Sequence, residues 1–114
     1  MIPFDNRFHG HKSLAYVYKN GDAIRSRLIN LRFVKNKHRS KSRIAVVVSK
    51  KVMKSAVRRN RIRRRIYEYL RLMLPEINDT YDMAFIVTSG ELQSIDYEDL
   101  KSQIDQLVAQ AGIK

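Results

Sequence analysis

AVRRNRIRRRIYEYLR, residues 56–71, is the segment on which the reading of this chain turns. At roughly 100° per residue, Ile62, Ile66, Tyr69, Leu70 and Met73 fall within an arc of about 100°, which predicts an amphipathic helix laid against a sheet. On the opposite side Asn60, Arg64, Tyr67 and Arg71 form a stripe, flanked by Arg61, Glu68 and Arg65 on one side and Arg63 on the other. Arg58 and Arg59 complete the set, and Glu68 is the only acid. Like charges at such spacings repel by roughly a few tenths of a kcal/mol each, so a polyanionic partner is expected to relieve them. Arginine suits phosphate because its planar fork donates paired hydrogen bonds and keeps its charge at any working pH. Asn60 adds an amide suited to a ribose hydroxyl or a base edge.

Working outward, Pro75 and Asn78-Asp79 stop the helix, and YDMAFIVTS (81–89) reads as a buried strand. On the other side, Lys50 to Ser55 connect the helix to RIAVVVS (43–49), a continuous β-branched run typical of a strand covered on both faces. Strand, helix and strand suggest a βαβ unit, whose crossover is right-handed as a general rule. KNKHRSKSR (35–43) is polar and cationic and reads as a loop. RSRLINLRFV (25–34) alternates, with Ile29, Leu31 and Phe33 on one side and Leu28, Asn30, Arg32 and Val34 on the other. Ser13 is placed to cap a short helix bearing Leu14, Val17 and Tyr18, ended by Asn20-Gly21. The first twelve residues, with Pro3, His9, Gly10 and His11, read as an extended arm. Ser94, with Asp96 in the first turn, opens a last helix carrying Leu100, Ile104, Leu107, Val108 and Ala111. The expected fold is α+β, a two-layer sandwich of about four strands with helices on one face, forming one domain over residues 1–114.

Charge is divided unevenly. Residues 1–71 hold 21 of the 23 Lys and Arg but only Asp5, Asp22 and Glu68 among the 11 acids. So lopsided a balance points to a strongly anionic partner, nucleic acid before membrane surface. The chain has no cysteine, which excludes a disulfide framework and a thiolate zinc site. No apolar run approaches the ~20 residues of a membrane span, and no secretory segment is visible, so a cytoplasmic location is expected. His9 and His11 have no third ligand in view, and no metal site is predicted. A self-sufficient nuclease would need paired carboxylates or a histidine pair. Asp79, Asp82, Asp96, Glu98 and Asp99 all lie in the acidic part of the chain, and helix initiation explains the last three. No catalytic residue is assigned.

A strand ending in Ser49-Lys50-Lys51, a short connection, Ala56-Val57, Arg59-Asn60-Arg61, Ile62 and Arg63-Arg64 together resemble the signature of the bacterial ribonuclease P protein family. The resemblance runs from Arg7 through Tyr18-Lys19-Asn20-Gly21 to Tyr81-Asp82. It implies a left-handed βαβ crossover, shared with a domain of a small-subunit ribosomal protein and one of elongation factor G. It also implies an accessory subunit, monomeric when isolated, that joins a catalytic RNA one to one and promotes removal of the 5′ leader from precursor tRNA. Chemistry would belong to the RNA and its Mg2+ ions. By the same resemblance Lys50, Lys51, Lys54, Arg58, Arg59, Asn60, Arg61, Arg63, Arg64 and Arg71 bind the catalytic RNA. A cleft between the first helix and the sheet, with Arg7, Leu14, Tyr18, Asn30 and Arg32, receives the leader.

Several positions depart from the family pattern. Leu14 stands where an aromatic is common, Arg32 where some relatives have one, and Thr88 and Ser89 where an Arg is usual. Tyr67 takes a usually basic position, and the connection Val52-Met53-Lys54-Ser55 is one residue longer than expected, with Met53 near a usual Gly. Tyr18 reads both as a stacking platform for a base and as a half-buried packing residue. A structural RNA-binding protein of ribosomal type would share the charge and fold; a duplex-DNA architectural protein is a third reading.

Overall fold

The computed structural model describes residues 11–36 and 40–114; Arg7, residues 1–10 of the expected arm and the middle of the 35–43 loop lie outside the described residues, while His11 and Lys12, expected in that arm, already belong to the first helix, so Ser13 lies within the helix and does not precede it. Three helices and four strands follow one another as α1 (His11–Asn20), β1 (Asp22–Ile24), β2 (Ile29–Lys35), β3 (Arg43–Val47), α2 (Ala56–Met73), β4 (Tyr81–Val87) and α3 (Tyr97–Ala111). Short 3-10 turns at Leu74–Glu76 and Gly90–Gln93 flank β4. The sheet runs β1-β2-β4-β3. β2 is antiparallel to β1 and β4, while β3 is parallel to β4, so β3, α2 and β4 form the expected βαβ unit.

The register sorts the two faces. Leu31 and Val46 both lie beside Phe85, so Ile29, Leu31, Phe33, Ile44, Val46, Met83, Phe85 and Val87 share one face. That face meets Ile62, Ile66, Leu70 and Met73 of α2 and Leu100, Ile104, Leu107 and Val108 of α3 in one core. The other face carries Asn30, Arg32 and Val34 of β2 beside Ile86, Ala84 and Asp82 of β4. The expected helices-on-one-face layering holds for α2 and α3. α1 instead lies over the second face, where Val17 is fully buried and Arg32 Nη1 donates to the Tyr18 carbonyl at 2.7 Å.

Local chemistry explains the boundaries. Ser55 caps α2, its Oγ accepting the Arg58 N–H at 3.3 Å. Gly112 ends α3 at φ 73°, the left-handed region that glycine enters without penalty. Gly21 is needed for close approach, since a Cβ there would stand 2.5 Å from the Val17 carbonyl oxygen and 2.8 Å from that of Phe33.

Further sequence expectations require correction: α3 begins at Tyr97 after Asp96, and Ser94 instead closes the preceding 3-10 turn. Strand β2 begins at Ile29 rather than Arg25, because Ser26 folds the preceding residues into a turn, accepting from the Ile29 N–H at 3.2 Å while its own N–H donates to Asn30 Oδ1. Leu28, expected on the partly polar side, is buried in the core from that turn. Tyr67 is not on the wet stripe of α2: it is buried, and its Oη accepts the Val46 N–H at 3.0 Å. β3 is an edge strand, and an outward N–H at that edge needs an acceptor.

Candidate nucleic-acid interface

The cations of residues 50–71 separate into two sets. Two arginines turn back onto the protein. Arg59 Nη1 donates to the carbonyls of Met53 at 3.0 Å and Lys54 at 2.8 Å, holding the β3–α2 connection against the helix. Arg65 lies beside the apolar arc and donates to the carbonyls of Leu92, at 2.7 Å, and Ile95, tying α2 to the segment before α3. Arg71 makes a loose i, i+3 contact with Glu68 at 3.4 Å. Arg63 Nη1 donates to Asn60 Oδ1.

Lys50, Lys51, Lys54, Arg58, Arg61 and Arg64 remain. All six are exposed, and their side chains have no hydrogen-bond or ion-pair partner among the described residues. They sit on one continuous segment, the connection and first half of α2, with Asn60 among them. The connection is shaped by Ser49, whose carbonyl accepts the N–H groups of Val52 at 3.2 Å and Met53 at 3.1 Å. Six unpaired cations on a pinned turn and a rigid helix make a surface suited to a phosphate backbone.

The second candidate surface lies on the other side of the sheet. Leu14 and Tyr18, one turn apart on α1, stand with Asn30 and Arg32, two apart on β2. The Arg32 guanidinium lies 5.8 Å from the Tyr18 ring centre. Tyr18 keeps 36% of its surface exposed. Burial raises its phenol above the ordinary value, and the positive charge of Arg32 opposes that shift. Asn30 spends its Oδ1 on the Ser26 N–H at 3.2 Å, which leaves its amide N–H groups to donate. The floor beyond them, Val34, Ala45, Val47 and Ile86, is half-buried and apolar. Of the five residues expected at the leader cleft, Tyr18 and Arg32 meet, Asn30 shares the sheet face of Arg32, and Leu14 lies one turn before Tyr18 on α1; Arg7 lies outside the described residues.

One end of this face is closed by a group that the sequence reading did not single out. Arg43 forms a two-pronged pair with Asp82, Nε to Oδ1 at 2.9 Å and Nη2 to Oδ2 at 2.6 Å, and Asn36 Nδ2 adds a bond to Oδ2 at 2.9 Å. Both charges are almost wholly buried, side chains 6% and 5% exposed. The adjacent β3 and β4 positions, Arg43 beside Asp82, set the pair. Arg65 and Tyr67 were also missed, and the only available signal was their place just outside the apolar arc of α2.

Among the described residues no three of His, Asp and Glu gather in a way that would hold a metal ion. No helix of the described residues is long and apolar enough to cross a membrane.

The chain as a whole resembles known proteins. The family model described as Ribonuclease P matches residues 2–112. A ribonuclease P protein component of Clostridium botulinum (strain Langeland) is 37% identical over 110 residues, covering 96% of each chain. One from Pseudanabaena sp. is 31% identical over 113 residues, covering 99% of this chain and 97% of the relative. The RNase P protein of Staphylococcus aureus superposes with a TM-score of 0.84 at 22% identity, covering 95% of this chain and 96% of that one. That of Thermotoga maritima gives 0.80 at 23% identity, covering 91% and 96%.

Proposed function

The chain belongs to the ribonuclease P protein family, and from that premise we propose that it is the accessory RNA-binding subunit of the ribonuclease P holoenzyme. It docks on the catalytic RNA through the β3–α2 connection and α2, and it holds the 5′ leader of precursor tRNA between α1 and the sheet. The observation that carries this reading is the division of polar surface. Six cations with unpaired side chains stand on the β3–α2 connection and the first half of α2, while among the described residues Arg32, the half-exposed Tyr18 and the Asn30 amide stand where α1 meets the opposite sheet face.

The division suits two tasks. Lys50, Lys51, Lys54, Arg58, Arg61 and Arg64 neutralise backbone phosphates and release their counterions, which gives affinity without reading sequence. Arg59 acts differently from its neighbours, since its guanidinium is engaged in shaping the lysine-bearing turn. In the groove, Tyr18 offers a ring face to a base and Arg32 meets a phosphate, which suits a single strand of varied sequence. The protein thereby fixes the substrate's position relative to the RNA. We assign Mg2+ mainly to the RNA subunit, with no step routed through the protein. One protein per RNA, acting in the cytoplasm, completes the proposal.

Paired variants test it. Replacing Arg61 and Arg64 by Ala is expected to weaken assembly with the catalytic RNA and to flatten its salt dependence by about one unit of slope for each phosphate no longer held. Tyr18→Ala is expected to leave assembly intact and to weaken binding of leader-bearing precursor by about 1–3 kcal/mol, with mature tRNA unaffected. Equal losses for precursor and mature tRNA would return Tyr18 to a packing role.

A further inference from the structure

The first turns of α2 contain an apolar side chain where charge and helix preference both argue against one. Val57 is 76% exposed, the most exposed large apolar residue among those described. It touches none of the core, and a β-branched residue is a poorer helix former than Ala. With Asn60, Arg63 and Arg64 it lines a concavity beside α2. Val57, Asn60 and Arg64 follow at i, i+3 and i+7, so they form one stripe. Arg63 donates to Asn60 Oδ1, which fixes the amide so that its nitrogen presents two N–H groups outward.

We propose that this concavity is a seat for one unstacked nucleobase of the RNA that docks on α2, an inference that rests on the docking reading given above. Phosphate alone does not account for the lining. A phosphate set against Val57 would lose hydration with no hydrogen bond in return. A base brings a flat face able to cover the Val57 methyls and an edge of carbonyl and ring-nitrogen acceptors for the Asn60 amide. Arg64, unpaired in this structure, is placed to hold the flanking phosphate. Bases inside a duplex keep their faces stacked, so the occupant comes from a bulge, loop or single-stranded joint. The seat would fix the register of α2 on the RNA, which the surrounding phosphate contacts do not encode.

The test uses the full-length protein and the catalytic RNA of the same organism, with the dissociation constant measured across a series of KCl concentrations. Val57→Ala is expected to raise it about three- to tenfold, because the valine methyls no longer cover the base. Its salt slope stays that of the parent, because no charge has been removed. Its melting temperature holds or rises, because Ala is the better helix former, which separates weaker binding from weaker folding. Base-edge modification of the bound RNA should show at least one unpaired base protected by the parent and exposed by both Val57→Ala and Asn60→Ala. An unchanged dissociation constant for Val57→Ala, or no unpaired base protected by the parent, overturns the seat. If Arg64→Ala then still flattens the salt slope, docking through α2 stands without the seat; if it does not, both fall.

Discussion

Tyr67 shows what a single hydroxyl contributes here. Its ring extends the buried arc of α2, and its Oη satisfies the Val46 N–H on the outer edge of the sheet. Tyr67→Phe keeps the ring and removes the acceptor, so it is expected to lower the unfolding free energy by about 1–3 kcal/mol, measured by urea denaturation. Its assembly with RNA should keep the parent's salt slope. A helical wheel read from sequence places Tyr67 beside Arg71 because the wheel knows only the helix; the acceptor that β3 requires depends on which strand ends at the edge. The same limit applies to Arg59 and Arg65. Both are legible as cations, yet which carbonyls they meet is decided by the chain before and after α2. Asp82 was legible as one of several carboxylates and as part of a resemblance, and the structure supplies its reason, a buried carboxylate matched to Arg43 and Asn36.

Elements with a long apolar period were readable, as with α2, α3 and the β-branched β3. β1 was not, since three residues hold no period and its strand character comes from pairing with β2. The contact between α2 and α3 carries a titratable signature. Tyr69, buried on α2, donates its hydroxyl to Asp105 on α3. Burial, then that bond and the Asp105 charge, push its phenol well above the ordinary value. In the unfolded chain the phenol titrates near about pH 10. Below that pH both states keep the proton and the contribution is whole. As pH rises further the unfolded chain releases its proton while the folded chain keeps it, so stability falls by up to about 1.4 kcal/mol per pH unit. Urea midpoints at successive alkaline pH values should therefore decline more steeply for the parent than for Tyr69→Phe. Parallel decline would place the titration elsewhere.

Across the whole molecule, charge and layering divide the work. Six of the cations in the first 71 residues, Lys50, Lys51, Lys54, Arg58, Arg61 and Arg64, face outward on α2 and its preceding turn, whereas Asp105 and Glu98 on α3 are answered by Lys114 and Lys101. The polyanion-binding character was plain in the sequence, because arginines without acids at helical spacing have few other uses. The position of α1 was less so: it covers the sheet face opposite α2 and α3, and that placement goes with the β2 register and the close pass at Gly21. In the proposed function one small protein joins a catalytic RNA on one face and a substrate leader on the other. The most direct test is reconstitution of the purified protein with the catalytic RNA at near-physiological Mg2+, comparing leader-bearing precursor with mature tRNA. Stimulated removal of the leader, with tighter binding of precursor than of mature tRNA, is the predicted result; cleavage no faster than that by the RNA alone would contradict it.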